Sequence, residues 1–313
     1  MRILVYGAGV LGSYLAHVLV RGGNDVTLLA RGRRLEELQK DGLVIRHYFQ
    51  MRTTVDKVKV IPELRAEDVY DLIFVVMKYS HFQAVLPTLA ANQSQHVVIV
   101  GNNASPGEML DYLQTNSPAE KKVAFGFQAS AGWREDGRMI CIRGPKGQMT
   151  IGGLGEELSW RPVIDRAFVN AKYTVTYHSD MEEWLNSHMV LILPLNLISP
   201  ATGGNLRQAA GSKKMLNLVV NALDEAHRVL ETLGYTVVPA VQNQLTREKR
   251  KLFYVGLKII TGTPLGRILL SDKAVSEAEM VLLHQAFNRL KERAGIPTPN
   301  WDQLVSNAPQ WQG

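Results

Sequence analysis

Unbroken apolar runs of strand length alternate with amphipathic stretches through the first half of the chain. Ile3–Tyr6, Leu72–Val76 and Val97–Val100 are continuous rather than alternating, and Val26–Leu29, broken only by Thr27, reads as a further strand. Such runs fit strands buried on both faces, as in a parallel sheet covered by helices. Between them, Tyr14, Leu15, Val18 and Leu19 recur at helical spacing within Ser13–Arg21, and Leu35–Gln39 predicts a short helix. From Lys122 to Gly153 the runs shorten to Val123–Gln128, Met139–Ile142 and Met149–Ile151, parted by glycine-rich turns. These pieces are expected to extend the sheet with antiparallel or mixed strands. After about residue 175 the strand pattern stops. Met215, Leu216, Val219, Val220, Leu223, Ala226, Leu230 and Leu233 recur every three or four positions until Gly234, and Met280, Leu283, Phe287 and Leu290 do the same before Gly295. The expectation is a doubly wound α/β domain over residues 1–172, then an all-helical domain over 173–313, with the boundary between Val169 and Ser179. Two domains suit a chain of 313 residues, given roughly 100–200 residues per domain. The last six or so residues are expected to fray.

Composition narrows the classes. Hydrophobic residues make up 46% and charged residues 20%, as in a globular enzyme. The 35 Lys+Arg against 29 Asp+Glu give +6, which favours anionic partners. No Lys/Arg stripe with interleaved aromatics is present, so nucleic acid is not an expected partner. The single cysteine, Cys141, cannot close an intramolecular disulfide and fits a reducing, cytoplasmic setting; with no base near it in sequence it reads as a strand residue, not a nucleophile. The chain runs directly into a strand and a glycine turn, so no leader is expected. Its longest apolar run, Met189–Ile198, is broken by Pro194 and Asn196 and falls short of the roughly 20 residues that span a bilayer. No metal site is assigned.

The candidate chemistry begins at Gly7-Ala8-Gly9-Val10-Leu11-Gly12, which follows a strand and opens a helix. In that context the first glycine permits the tight turn, the second lets a diphosphate approach the backbone, and the third lets the helix pack on the strand. The helix start then offers unpaired N–H groups and a favourable dipole to phosphate. The pattern reads as a Rossmann site for a nicotinamide dinucleotide. An NAD site usually carries Asp or Glu at the end of the next strand. Here that strand ends Leu28-Leu29-Ala30-Arg31, followed by Gly32-Arg33-Arg34. Guanidinium groups pair bidentately with phosphate, so the expected cofactor is NADP, with its 2′-phosphate near these arginines.

At these residues the chain resembles the ketopantoate reductase (2-dehydropantoate 2-reductase) family, over nearly its whole length. The likeness is carried by Arg2 to Gly12, by Val26-Thr27-Leu28-Leu29-Ala30-Arg31-Gly32, and by Val75-Val76-Met77-Lys78. It continues at Asn102, at Trp184, and in the closing Ala294-Gly295-Ile296-Pro297-Thr298-Pro299. The resemblance implies reduction of a branched 2-oxo acid, ketopantoate to pantoate in pantothenate biosynthesis, with NADPH on the first domain and substrate in a cleft between domains. It implies that Arg31 holds the 2′-phosphate, that Lys78 lies near phosphate or ribose groups, and that Asn102 sits beside the nicotinamide. The family's catalytic lysine, two residues after the tryptophan, is replaced here by Asn186. Val190 and Pro194 stand where the family has asparagines, and Leu252 to Asp272, where the family has a serine and a carboxylate that help bind the substrate, offers Gly262-Thr263-Pro264-Leu265-Gly266 and no obvious equivalent carboxylate.

That replacement matters because hydride transfer to a ketone places negative charge on its oxygen. A positioned acid typically contributes roughly 10²–10⁴-fold, and electrostatic stabilisation is often worth more. Asn186 donates a neutral hydrogen bond but delivers no proton. His188 is an acid candidate near neutral pH, although residues two apart on a helix diverge by about 200°. Glu182, Glu183 and Lys258 are further candidates without rank. Three readings follow: an NADPH-dependent reductase of a 2-oxo acid or related carbonyl, an NADP-binding sensor or scaffold that has lost turnover, and a reductase of imines or another carbonyl class. The helical domain also suits a homodimer, and an intramolecular core explains the same pattern.

Overall fold

The apolar runs at the head of the chain become the inner strands of an eight-stranded sheet. A computed structural model describes residues 1–270 and 277–308 and divides the chain into two units, Met1–Met181 and Glu182–Gly313. The first unit runs β1 (Arg2–Tyr6), α1 (Val10–Arg21), β2 (Asp25–Leu29), α2 (Gly32–Asp41), β3 (Leu43–His47), β4 (Arg52–Asp56), β5 (Lys59–Ile61) and β6 (Leu72–Val76). It continues with α3 (Tyr79–Ala91), β7 (His96–Val100), α4 (Pro106–Asn116), β8 (Lys122–Gln128), β9 (Ser130–Glu135), β10 (Arg138–Arg143), β11 (Gly147–Gly152), α5 (Arg161–Phe168) and β12 (Tyr173–Tyr177).

The large sheet is ordered β12-β11-β8-β7-β6-β1-β2-β5. Its six strands from β5 to β8 are parallel, with Ile3 paired to Val26 on one side and Leu72 on the other. Counted in chain order within this sheet they stand 3-2-1-4-5-6, the doubly wound order in which a dinucleotide lies across the carboxyl ends where the order reverses, beside β1 and β6. The added strands behave as expected at β11, which is antiparallel to β8.

A second sheet, β4-β3-β10-β9, differs from the expectation that all strands after residue 122 extend the first. Its β3–β4 hairpin escaped the hydrophobic pattern because β4 is mostly exposed and β3 alternates, burying Leu43, Ile45 and His47. The inward residues Leu43, Ile45, Met139 and Cys141 join Tyr14, Leu15 and Val18 of α1 in one core. Polar ties add to this packing: His17 Nδ1 lies 2.5 Å from Asp56 Oδ2, and Arg21 Nε donates to Asp56 Oδ1 at 2.8 Å. The expected boundary at residue 172 also shifts. Tyr173–Tyr177 pairs in parallel with β11 and so completes the first unit, which ends at Met181.

The second unit is helical: α6 (Met181–Asn196), α7 (Ile198–Ala201), α8 (Leu206–Gly211), α9 (Lys213–Thr232), α10 (Val241–Thr246), α11 (Arg250–Gly262), α12 (Pro264–Leu269), α13 (Glu277–Ala294) and α14 (Pro299–Ser306). Leu216, Val219, Val220, Leu223, Ala226 and Leu230 form the buried stripe of α9, which Ser212 opens by accepting from Met215 N at 3.2 Å. Gly234, at φ +87, ends the segment where the sequence placed its stop. Trp301 of α14 is fully buried against Phe287, with ring centroids 4.2 Å apart. Of the stretches singled out in the sequence, 271–272 and 309–313 lie outside the described residues. Among the described residues no helix is long and apolar enough to cross a membrane.

Candidate nucleotide-binding site

The turn from β1 into α1 is built by close backbone contact. A Cβ on Gly7, whose φ is +124, would stand 2.2 Å from the Val76 carbonyl oxygen, and one on Gly12 would stand 1.9 Å from that of Gly7. Only glycine permits either approach. Gly9 is different, because a Cβ there would meet nothing within 4 Å. The open space lies where the second glycine of the motif lets a diphosphate approach. Gly9 is also the N-cap of α1, with no side-chain cap and no acidic residue in the first turn. The first N–H groups of α1 therefore present a positive end without a competing side chain, and the residues present fit a dinucleotide diphosphate. Leu11 is held from behind, its carbonyl accepting from Gln128 Nε2 at 3.1 Å.

Two further loops meet the glycine turn at the same edge of the sheet. Lys78 follows β6 and is the exposed N-cap of α3. Asn102 follows β7, immediately after Gly101, whose φ is +153 and whose Cβ would stand 2.6 Å from the Met77 carbonyl oxygen. Gly7 thus backs onto Val76 and Gly101 onto Met77, which brings Gly7–Gly12, Lys78 and Asn102 to adjoining segments. Gly101 had no signal in the hydrophobic pattern beyond its place at a strand end.

Arg31 caps the start of α2 at the carboxyl end of β2. Its Nη2 donates to the Tyr6 hydroxyl at 3.0 Å, its Nε reaches the Pro62 carbonyl at 3.4 Å, and it has no carboxylate in ion-pair range among the described residues. The other two arginines of the turn behave differently. Arg33 is exposed and pairs with Glu37 at 3.1 Å. Arg34, read from the sequence as one more cation facing the phosphate, turns inward and is 8% exposed. It donates from Nε to the Ala8 carbonyl at 3.3 Å, from Nη2 to Ser13 Oγ at 3.3 Å, and from Nη1 to the Gly137 carbonyl at 3.0 Å. Burial pulls its pKa down, while the hydrogen bond and charge of Glu37 pull it back up. Desolvation would raise the Glu37 carboxyl, yet hydrogen bonds and charge from Arg134 and then Arg34 hold it below its ordinary range.

The remaining candidates belong to α6 and its surroundings in the second unit. Asn186 is buried. His188, one turn after Trp184, stacks on its ring at 5.4 Å with an interplanar angle of 14°. Burial lowers its pKa to about 4, so at pH 7 the ring is neutral and the acid role needs a proton it does not carry. Glu182 accepts from the Tyr235 hydroxyl at 3.0 Å and Glu183 from Thr236 N at 2.9 Å, which fastens both to the chain after Gly234. Lys258 is exposed on α11. Cys141 lies fully buried in β10, with its thiol pushed up to about 12 by desolvation, as befits a strand residue.

Residues 3–156 match the family model described as "Ketopantoate reductase PanE/ApbA". A 2-dehydropantoate 2-reductase from Pyrococcus horikoshii is 35% identical over 78 residues, covering 25% of each chain. One from Pyrococcus abyssi is 24% identical over 238 residues, covering 73% of each. The aligned stretch of the P. horikoshii relative is thus about a quarter of that protein's length. Among solved structures, D-mandelate dehydrogenase with NADH and anilino(oxo)acetate superposes with a TM-score of 0.73 at 17% identity, covering 100% of this chain and 98% of that one, which shows a shared fold.

Proposed function

The chain belongs to the ketopantoate reductase family, and from that premise we propose that it binds NADPH and reduces the keto group of a small 2-oxo acid of the ketopantoate type or a related carbonyl. One observation carries the cofactor reading: an uncapped helix start with open space at Gly9, together with Arg31 at the acid-free end of β2. Gly7–Gly12 would hold the diphosphate and Arg31 the 2′-phosphate, while Lys78 and Asn102 flank the dinucleotide from the next two loops. When bound, NADPH supplies a hydride. At the position where the resemblance implies a catalytic lysine the chain carries Asn186, whose amide can donate a hydrogen bond but has no proton to give. The neutral His188 ring does not make up that deficit at pH 7.

The same two residues favour a second reading, an NADP-binding sensor or scaffold without turnover. The purified protein, mixed with NADPH and a panel of 2-oxo acids, separates them through the nicotinamide absorbance. Loss of absorbance with ketopantoate or another member supports the reductase. Tight NADPH binding with no consumption across the panel contradicts it and supports the sensor.

A further inference from the structure

Arg34 joins three parts of the first unit that the glycine motif alone does not connect. It rises from the first turn of α2, yet its three guanidinium nitrogens end on the Ala8 carbonyl of the glycine turn, the Ser13 hydroxyl in α1, and the Gly137 carbonyl in the β9–β10 turn. Ser13 in turn donates to the same Ala8 carbonyl at 3.2 Å. One backbone oxygen in the middle of Gly7-Ala8-Gly9 is therefore gripped by two donors. A trans peptide carries its C=O and N–H on opposite sides. With the Ala8 oxygen held by Arg34 and Ser13, the Gly9 N–H points away from both. Glu37 steadies the clamp from outside, accepting from Arg34 Nη1 at 3.4 Å and from Arg134 of β9 at 2.5 Å. The second sheet is thereby tied to the glycine turn through side chains.

We propose that Arg34 is a positioning residue for the coenzyme diphosphate: it fixes the Ala8–Gly9 peptide so that the Gly9 N–H faces the diphosphate, and it takes no part in reading the 2′-phosphate. The proposal rests on the dinucleotide reading of this turn. It separates the arginines of one short segment by task, Arg31 for the adenosine phosphate and Arg34 for the turn that meets the diphosphate. A lysine in its place keeps a charge but cannot reach three acceptors in three directions.

Binding of three probes to the wild type and to Arg34→Lys tests this: NADPH, NADH and adenosine 2′-monophosphate, which lacks the diphosphate. Arg34→Lys is expected to weaken NADPH and NADH by the same factor, about 10-fold for one charge-assisted hydrogen bond, and to leave adenosine 2′-monophosphate unchanged. Ser13→Ala, which removes the other donor to the Ala8 oxygen, should show the same pattern more weakly, and it carries the comparison if Arg34→Lys does not fold. A loss confined to NADPH and adenosine 2′-monophosphate would overturn the proposal by making Arg34 a 2′-phosphate reader. Equal loss of all three probes would reduce it to a general structural residue, and no loss of any would remove it altogether. A folded wild type that binds none of the probes sinks the dinucleotide reading itself, and the inference with it.

Discussion

Gly9 and Gly12 sit three residues apart in one turn, and alanine should affect them in opposite ways. At Gly12 the new Cβ falls 1.9 Å from the Gly7 carbonyl oxygen, so the turn must open or the helix must move. Gly12→Ala is expected to destabilise the first unit by about 3 kcal/mol or more, at the upper end for overpacking, read by urea unfolding. At Gly9 the Cβ meets only open space and φ is −71, which alanine adopts freely. Gly9→Ala should leave stability unchanged or raise it by about 0.5 kcal/mol, while weakening NADPH and NADH together because the methyl takes up room the diphosphate needs. Intact coenzyme binding in folded Gly9→Ala would place the diphosphate elsewhere. Arg31→Ala should instead cost NADPH roughly 10–100-fold, the size of a charge-assisted contact, with little effect on NADH. Equal losses in calorimetry on both coenzymes would show that Arg31 does not read the extra phosphate. At Asn186, Asn186→Lys is expected to raise ketopantoate reduction by supplying the missing cation and proton donor; no gain in steady-state rate would mean that the remaining pocket has diverged as well.

Helix α14 begins at Pro299 with Thr298 as N-cap and no side-chain cap of its own, and Glu225 of α9 takes that role from a distance. Its carboxylate accepts from Asn300 N at 3.1 Å, Asn300 Nδ2 at 2.5 Å and Trp301 N at 2.8 Å, negative charge against the positive end of a helix dipole. Glu225→Ala strips three donors in a buried setting and is expected to destabilise the second unit by about 2–3 kcal/mol, with Glu225→Gln falling between. An unchanged urea midpoint for the alanine variant would remove Glu225 from the account of this helix. The elements themselves were legible in proportion to how fully each is buried. Leu72–Val76 is buried at every position and legible end to end, and the middle of the α9 stripe from Leu216 to Leu230 is legible too, while its outer members Met215 and Leu233 are only half-buried. The β3–β4 hairpin and β9 are not legible: β4 and β9 carry arginine, threonine and glutamate without a continuous apolar run, and the apolar run of β3, Leu43 to Ile45, is only three residues long. At the site, Gly7–Gly12 announced itself by spacing. Arg34 was misread because a run of arginines looks alike in sequence, and only the fold decides which one turns inward.

At the scale of the whole molecule, buried neutral histidines make both units acid-sensitive. His47 in the first unit and His227 in the second are fully buried, and desolvation, reinforced by neighbouring positive groups, lowers each from 6.5 to about 4. In the unfolded chain these rings take up protons near their ordinary value; in the folded units they do so only near 4. The unfolded state therefore binds more protons between those values, so this stability is fully present above about pH 6.5 and is lost as pH falls toward 4. Each ring should lower stability by about 2 kcal/mol between pH 7 and pH 5, the integrated difference for such a shift. Urea midpoints at the two values check the sign, and an equal or higher midpoint at pH 5 would contradict it. The excess of basic over acidic residues, 35 against 29, agrees with an anionic ligand without identifying one. Identification rests on the turn at Gly9 and the cation at Arg31, and titration calorimetry of the folded, coenzyme-free protein with NADPH and then NADH addresses both at once. Saturable heat with both, and distinctly tighter binding of NADPH, is the predicted result; no measurable binding of either would contradict the account at its root.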